Sequence, residues 1–280
     1  MKGRKVVSTV IYHIFIAALG LIMVYPVLWM VSGSLKNNAE ILSGSLSLIP
    51  PAWRWENFAQ GWRGFGHVTF TTYFKNSLLI TTFATLGTVI SSSLIAYALS
   101  RVKFAGRKLW FTIMIGTMLL PGQVVMIPQY LIYNRIHWVG TPLPLIVPHF
   151  FGAPFFTYMM MQFMTIIPRE LDEAAIIDGC SKYSVFSRVI FPLLKPSLIS
   201  TIIIQFYWKW DDYMGPMLYL GKPTSYTVSI AVKLFADATS KTDYGPMFAM
   251  STLSMIPVFT IFLVFNRYLV DGISTSGLKG

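Results

Sequence analysis

The sequence predicts an all-α fold, that of a polytopic membrane protein with six transmembrane helices. Hydrophobic residues make up 54% of the 280 residues and charged residues only 12%, whereas an ordinary soluble domain carries about 25% charged residues. Several apolar runs reach the length of about 20 residues that is needed to cross the hydrocarbon core of a bilayer. Lysine and arginine concentrate beside these runs. The chain, residues 1–280, is therefore interpreted as a single membrane domain.

The first two predicted spans cover residues 10–31 and 76–100. The first run shows neither the short apolar core nor the small-residue cleavage site of a secretory signal peptide, so we expect a retained anchor. The second run is rich in Thr, Ser, Gly and Ala. Because small side chains let helices approach closely, this span is predicted to be buried among its neighbours.

The other four predicted spans cover residues 109–132, 143–167, 193–210 and 246–269. Proline and glycine interrupt the third and fourth spans, and both residue types break or bend helices, so we expect these two spans to be kinked or broken. The interrupting residues are Pro121, Gly122, Pro128, Pro148, Gly152 and Pro154.

The segment between the fourth and fifth spans, residues 168–192, is predicted to form two short helices. Pro168 suits the first helical position, and three acidic residues near it favour the positive end of the helix dipole. Gly179 can adopt the left-handed conformation that ends a helix, and Ser181 can cap the next one. At 100° per residue, the second helix has an apolar arc formed by Tyr183, Val185, Phe186, Val189 and Ile190. We interpret this pair of helices as a docking element.

Seven residues of the same segment have a distinctive spacing: Glu173, Ala174, Ala175, Gly179, Val189, Phe191 and Pro192. The spacing resembles the cytoplasmic signature loop of permease subunits of binding-protein-dependent bacterial ABC importers, in which E-A-A is followed by G and then by an apolar ending with P. The neighbouring sequence segments IPREL and IDG resemble those of the carbohydrate branch of that family, the maltose-type second permease.

The resemblance implies a type I ABC importer fold in which residues 168–192 form a cytoplasmic coupling helix pair. It implies an assembly of two different permease subunits, an ATPase dimer and an extracytoplasmic solute-binding protein that imports an oligosaccharide or related carbohydrate. ATP and Mg would bind to the ATPase subunits, and this chain would hold no cofactor. The residues expected to dock the ATPase are Glu170, Asp172, Glu173, Ala174, Ala175, Asp178, Gly179 and Tyr183.

The sequence also argues against several other functions. It contains no phosphate-binding loop, no dinucleotide-binding glycine motif and no H-E-x-x-H motif, so we expect no enzymatic activity in this chain. The single cysteine, Cys180, excludes an intrachain disulfide and has no metal-ligand spacing. The net charge of +11 does not form a basic patch interleaved with base-stacking aromatics outside the membrane flanks, so we expect no nucleic-acid partner.

The distribution of positive charge predicts the orientation in the membrane, since short basic loops stay cytoplasmic. With the N-terminus inside, thirteen cations lie on the inner side: Lys2, Arg4, Lys5, Arg101, Lys103, Arg107, Lys108, Arg169, Lys182, Arg188, Lys195, Arg267 and Lys279. Eight lie in the outer loops: Lys36, Arg54, Arg63, Lys75, Arg135, Lys222, Lys233 and Lys241. This bias favours both termini in the cytoplasm, and the resemblance implies the inner membrane of a bacterial cell.

Polar residues within spans are costly and therefore indicate either a substrate pathway or a helix–helix contact. The candidate pathway residues are Gln123, Gln205, Trp208, Lys209, Asp211 and Asp212. Gln205 lies near the middle of its span, and this depth is equally consistent with a substrate contact and with an interhelical hydrogen bond. Lys209 and Asp212 are three residues apart, so they can form a structural ion pair as an alternative to contacting the substrate. His149 is more typical of a hydrogen-bonded packing residue than of a ligand.

Some alternatives stay open at this point. The aromatic loop of residues 32–75 fits either a cap at the membrane interface or a contact with an external partner. The loop of residues 221–245 fits either a solvated connection or, by resemblance, a contact with the binding protein. The transported solute could be a glycerophosphodiester, an osmolyte or an amino acid, and an ion-coupled carrier or a channel is a different class of candidate.

Overall fold

The computed structural model describes residues 2–236 and 243–277, with side chains for residues 9–236 and 243–265. Among the cations used to predict the orientation, those that lie outside these residues, or whose side chains do, are Lys2, Arg4, Lys5, Lys241, Arg267 and Lys279. Regular structure in the described ranges is helical apart from an isolated bridge between Phe65 and Val68. The all-α prediction is therefore confirmed.

Fifteen α-helices follow one another in the described ranges. They are α1 (Lys2–Gly33), α2 (Asn38–Leu42), α3 (Glu56–Arg63), α4 (Phe70–Arg101), α5 (Arg107–Met118), α6 (Gly122–Arg135), α7 (Leu143–Ile146), α8 (Pro154–Met164), α9 (Glu170–Ile177), α10 (Lys182–Val185), α11 (Phe191–Leu193), α12 (Lys195–Trp210), α13 (Met214–Tyr219), α14 (Val228–Leu234) and α15 (Tyr244–Gly277). Val147–Phe151 and Pro223–Ser225 are 3-10 helical, and Phe186–Ile190 is π-helical.

Four stretches within the described residues are long and apolar enough to cross a membrane: Thr9–Gly33, Phe70–Arg101, Leu143–Met164 and Tyr244–Phe265. Two bent helix pairs bring the number to six if each pair forms one span. The first pair is α5 and α6, bent by 104°, and the second is Lys182–Leu193 and α12, bent by 73°. Four of the predicted spans coincide with single stretches and a fifth with the first bent pair. The second bent pair includes Lys182–Leu193, which the sequence assigns to the docking element, so the span of residues 193–210 stays a prediction.

The predicted breaks occur where the backbone requires them. The third span is broken at Pro121, between α5 and α6. Proline lacks the N–H that would continue the helix and also disfavours helical backbone before it. In the fourth span, Gly152 has φ +105° and ψ 148°, a region that is essentially open only to glycine. Pro154 then starts α8. The interruption of the third and fourth spans is therefore confirmed, although the prediction was wrong for Pro128, which lies inside α6 without ending it.

The second span is buried as its small residues predict. Within its most apolar window, 56% of the residues are buried, and Thr88, Ser92 and Ala96 are fully enclosed. At Gly87, an added Cβ would lie 2.6 Å from the Phe150 ring. This helix and the fourth span therefore approach each other more closely than a larger side chain would allow.

The packing divides the chain into two compact units, one of Met1–Thr71 with Ala231–Ile256 and one of Thr72–Ile230 with Pro257–Gly280. In the first unit, buried Asn57 orders the loop after α1 by donating to the carbonyls of Ser34 and Lys36, both at 2.9 Å. Trp53 and Trp55 of this loop are exposed. Both interpretations of the loop stay predictions, as does the single permease domain.

The second unit has a hydrophobic core that is shared by α4, α8, the short helices after α8, and α12. Its buried members are Val89, Ala96, Tyr97, Met160, Met164, Ile167, Ala175, Val185, Ile190, Leu194 and Leu198. The short helices are therefore packed on the ends of the membrane helices. They do not project from the unit as a free loop.

Candidate functional site

The first short helix after α8 begins slightly later than the sequence predicts. α9 starts at Glu170 and Arg169 is its N-cap residue, so Pro168 lies before the helix and not at its first position. The Arg169 carbonyl accepts the N–H groups of Asp172 and Glu173 at 3.0 and 3.1 Å. The first hydrogen-bonded turn thus forms after the proline, with the acidic residues still next to the positive end of the dipole.

The turn between the two short helices has the predicted chemistry. Gly179 has φ +82°, and its N–H donates to the Ile176 carbonyl at 3.0 Å while that of Cys180 donates to the Ala175 carbonyl at 2.9 Å. This pair of bonds is the Schellman arrangement that ends helices at a left-handed residue. Ser181 then caps the next helix by accepting the Ser184 N–H at 3.3 Å.

The second short helix is amphipathic, with one correction to its apolar face. Val185 and Ile190 are buried, and Phe186 and Val189 are partly buried against the same core. The prediction was wrong for Tyr183, which is 83% exposed. Tyr183 lies at the edge of the predicted arc and in the first turn of the helix, whereas the buried residues follow one turn later and continue into the π-helical segment.

A single arginine at the end of α4 fixes α9 in place. The Arg101 guanidinium lies 3.2 Å from a carboxylate oxygen of Asp172 and donates to the carbonyls of Met164 and Ile167 at 2.7 and 2.6 Å. The side chains of Arg101 and Asp172 are only 5% and 15% exposed. A second tie comes from the Tyr97 hydroxyl, which donates to the Lys182 carbonyl at 3.1 Å.

The electrostatics of this ion pair are dominated by burial. Desolvation raises the pKa of Asp172 above its ordinary value, and this effect exceeds the lowering caused by the neighbouring Arg101 and Arg169. An ionised carboxylate is therefore held here at a cost, which is common for buried ion pairs. Its role is to position α9 relative to α4 rather than to supply a large part of the stability.

The structure separates the predicted docking residues into two groups. Asp172 and Ala175 contact the interior of the chain, because they lie three residues apart on the face of α9 that packs on the core. The other predicted residues are exposed: Glu170, Glu173, Ala174, Asp178, Gly179 and Tyr183. Sequence reasoning missed Ile177, which is 85% exposed beside the turn. An isoleucine two residues before the helix-ending Gly179 gives no signal of its orientation.

A polar cavity of about 320 Å³ lies elsewhere in the second unit, where α6, α7, α12 and α13 meet. The residues that line it include Met126, Gln129, Tyr133, Pro148, His149, Lys209, Asp212, Gly215 and Tyr219. Lys209 and Asp212 form the predicted ion pair at 3.2 Å. The other Asp212 oxygen accepts the Gly215 N–H at 3.0 Å, which holds the start of α13 against the end of α12.

A buried hydrogen-bond network supports one wall of this cavity. His149 Nδ1 lies 3.2 Å from the Gln205 amide nitrogen and 3.2 Å from the Thr88 hydroxyl. The Ser91 hydroxyl donates to the His149 carbonyl at 2.8 Å. Three membrane helices are thereby joined through one histidine, whose ring also contacts the cavity.

The candidate pathway residues are only partly brought together. Lys209 and Asp212 line the cavity, and Gln205 is buried behind His149. Trp208 packs on Phe155 and Phe156, and Gln123 and Asp211 are exposed without lining the cavity. Sequence reasoning missed Tyr133 and Tyr219, because their convergence depends on the bend between α5 and α6. In the described part of the chain, no three His, Cys, Asp or Glu side chains form a metal-binding group.

Membrane-length helices that share a core with the short helices after α8 define a multi-pass membrane protein. The family described as "Binding-protein-dependent transport system inner membrane component" matches residues 88–275. The chain belongs to this family, which agrees with the resemblance noted in its signature segment.

Similar proteins are known from several organisms. The probable ABC transporter permease protein YurM of Bacillus subtilis is 33% identical over 91% of this chain and 84% of its own length. The trehalose/maltose transport system permease protein MalG of Thermococcus litoralis is 29% identical over 99% of both chains. A chain of a bacterial ABC transporter involved in alginate import has the same fold, with a TM-score of 0.80 at 21% identity, over 94% of this chain and 96% of that one.

Proposed function

We propose that this chain is a membrane subunit of a carbohydrate ABC importer and that an ATPase subunit drives it through the short helices after α8. The docking surface consists of the exposed residues Glu170, Glu173, Ala174, Ile177, Asp178, Gly179 and Tyr183. The observation that carries this proposal is the shared core, since the same helices that present this surface are packed on α4, α8 and α12. Force applied to the surface is thus applied to the membrane helices.

The rest of the assembly follows the family. A second permease subunit would complete the translocation pathway, and an extracytoplasmic binding protein would deliver the solute. Membership of a binding-protein-dependent family argues against an ion-coupled carrier or channel. Carbohydrate is favoured as the substrate because similar proteins are named for arabinooligosaccharides, for trehalose and maltose, and for diacetylchitobiose. ATP and Mg would be bound by the ATPase, and both termini would lie in the cytoplasm of the bacterial cell.

The docking proposal is tested by changing the surface without changing the core. Glu173→Lys and Ile177→Asp should each reduce the amount of ABC ATPase that co-purifies with the tagged chain from its native host by about tenfold or more. Substitution of a residue at the centre of an interface can lower the binding free energy by about 1–2 kcal/mol or more. Arg188→Glu, an exposed change on the second helix outside the docking surface, is the matched control. Undiminished ATPase recovery in both variants, measured by quantitative mass spectrometry, would contradict the proposal.

We further propose that the polar cavity contacts the transported sugar. Lys209 and Asp212 neutralise each other, while Gln129, Tyr133 and Tyr219 offer additional hydrogen-bonding groups and aromatic faces. Such a lining suits a neutral, hydroxyl-rich ligand, because a hydroxyl both donates and accepts hydrogen bonds.

Lys209→Met removes the charged donor of this cavity and tests the proposal. Loss of a hydrogen bond to a charged group costs about 1.5–3 kcal/mol, so ATP-driven uptake of radiolabelled neutral disaccharides and trisaccharides should fall by about tenfold or more. The control is Lys222→Met, which removes an exposed cation outside the cavity. Uptake equal to wild type in a correctly inserted Lys209→Met chain would show that the cavity is not part of the pathway.

A further inference from the structure

An apolar groove of about 480 Å³ lies on the second unit between α4, α5 and α8. Its lining is hydrocarbon and aromatic apart from Thr157, which is itself buried. The lining residues used below are Leu99, Phe104, Trp110, Ile113 and Phe151. Because these helices belong to stretches that are long and apolar enough to cross a membrane, we take the medium next to the groove to be lipid rather than water.

The segment that contributes Phe104 to the groove is strongly basic. Between the end of α4 and the first turn of α5 the sequence reads RVKFAGRK, with four cations and no acidic residue. Arg101 is already occupied by Asp172 and two carbonyls. The other three cations, Lys103, Arg107 and Lys108, have no carboxylate within 4.0 Å among the described side chains.

The cations and the groove are parts of one structure. Lys103 directly precedes Phe104, which lines the groove, and Lys108 lies two residues before Trp110, which also lines it. Gly106, at φ +80°, turns the segment back so that an added Cβ would be 3.8 Å from the indole nitrogen of Trp110. The indole therefore lies at the junction between the basic segment and the apolar lining, where tryptophan is favoured at membrane interfaces.

We propose that this groove binds an anionic phospholipid, with an acyl chain along Leu99, Ile113 and Phe151 and the acidic headgroup near Lys103, Arg107 and Lys108. Hydrocarbon walls accept the chain without leaving polar groups unsatisfied. Basic residues at the end of such a groove select an acidic headgroup over a zwitterionic one. The site is separate from both the docking surface and the polar cavity, and it does not depend on which side of the membrane the segment faces.

Trp110 provides a reporter inside the proposed site. The full-length chain is reconstituted into phosphatidylcholine vesicles that contain increasing fractions of either dibrominated phosphatidylglycerol or dibrominated phosphatidylcholine. The Trp110 signal is obtained by subtracting the Trp110→Phe variant measured under the same conditions. Half-maximal quenching of this signal should need about a fivefold lower fraction of the anionic lipid, the preference expected from even one basic residue near the headgroup.

The triple variant Lys103→Gln/Arg107→Gln/Lys108→Gln should remove this preference. Lys75→Gln/Arg135→Gln/Lys222→Gln is the matched control, because it removes three exposed cations far along the chain from the groove.

Equal quenching by the two lipids in wild type overturns the proposal, and so does a preference that survives in the first triple variant. Absence of Trp110-specific quenching by either lipid also overturns it, since the groove would then be covered by protein. Native mass spectrometry should independently show retained phosphatidylglycerol on wild type and on the control variant only.

Discussion

At the scale of single residues, Arg101 explains how a short helix outside the membrane is held in register with a membrane helix. Its guanidinium contacts two carbonyls at the end of α8 and one carboxylate of α9. Arginine suits this position because its fixed fork of donors can satisfy several acceptors at once. The two members of the ion pair are therefore not equivalent.

Removing Arg101 should be much more damaging than neutralising Asp172. Arg101→Ala leaves a buried carboxylate unpaired and should lower the free energy of unfolding by about 3–5 kcal/mol. Asp172→Asn keeps the carbonyl contacts and should cost about 1 kcal/mol. Because burial raises the pKa of Asp172, the folded chain holds this proton more tightly than the unfolded chain does. The stability of wild type should therefore fall as the pH rises from the ordinary pKa through the raised one, and the deficit of Asp172→Asn should shrink over the same range.

Denaturant unfolding of the purified chain in detergent, followed at several pH values, measures these differences. Arg188→Ala removes an exposed arginine of the same segment and should change the stability little. Equal losses for Arg101→Ala and Asp172→Asn would show that the carboxylate, rather than the carbonyl contacts, dominates the role of Arg101.

At the scale of elements, substitutions at Gly179 can distinguish what the backbone of the turn requires from what docking of the ATPase requires. An added Cβ at this position meets no atom within 4 Å, but the φ of +82° disfavours most side chains. Gly179→Val should therefore destabilise the chain by about 1–2 kcal/mol, the cost of left-handed backbone, whereas asparagine tolerates this conformation. Gly179→Asn should unfold close to wild type.

Gly179→Asp is the informative third variant. Aspartate also tolerates the left-handed conformation, so the isolated chain should remain stable, yet a new negative charge would lie in the docking surface. We expect stability near that of Gly179→Asn but a loss of co-purified ATPase, measured on the same preparations. Full ATPase recovery would show that the turn itself is not part of the contact.

The sequence was most informative where a single residue determines the local backbone. Pro121, Gly179 and Ser181 end or start helices by their own chemistry, and each is found in its predicted role. The inward position of Asp172 and the outward position of Ile177 depend instead on which face of a two-turn helix meets the core. Eight residues of α9 contain too little periodicity to define that face.

The polar cavity shows the same limit at longer range. Lys209 and Asp212 could be paired from their spacing, because both lie near one helix end. Gln129 and Tyr133 join them only because the chain bends by 104° between α5 and α6. A proline predicts that a bend occurs, but its angle and direction result from the packing of neighbouring helices.

At the scale of the whole molecule, the remaining prediction is the orientation in the membrane. Cys180 is the single cysteine of the chain and lies in the turn next to the docking surface. A membrane-impermeant maleimide should label it in inside-out vesicles but not in intact spheroplasts, since the basic loops predict that this segment is cytoplasmic.

Two variants make this labelling experiment independent of the partial burial of Cys180. A Cys180→Ser chain with Lys182→Cys carries the thiol at an exposed position of the same segment, and one with Ser43→Cys carries it in the loop after α1. The first should react only in inside-out vesicles and the second only in spheroplasts. The opposite pattern would reverse the orientation and remove the ATPase from reach of the docking surface.

The core shared by the short helices and α4, α8 and α12 also has a mechanical consequence. Close-packed interiors have low compressibility and transmit strain, so these helices cannot yield separately when one of them is displaced. Work done on α9 by the proposed ATPase would reach α4, α8 and α12 with little elastic loss. A displacement of a few ångströms at α9 would therefore become a displacement of similar size in these helices.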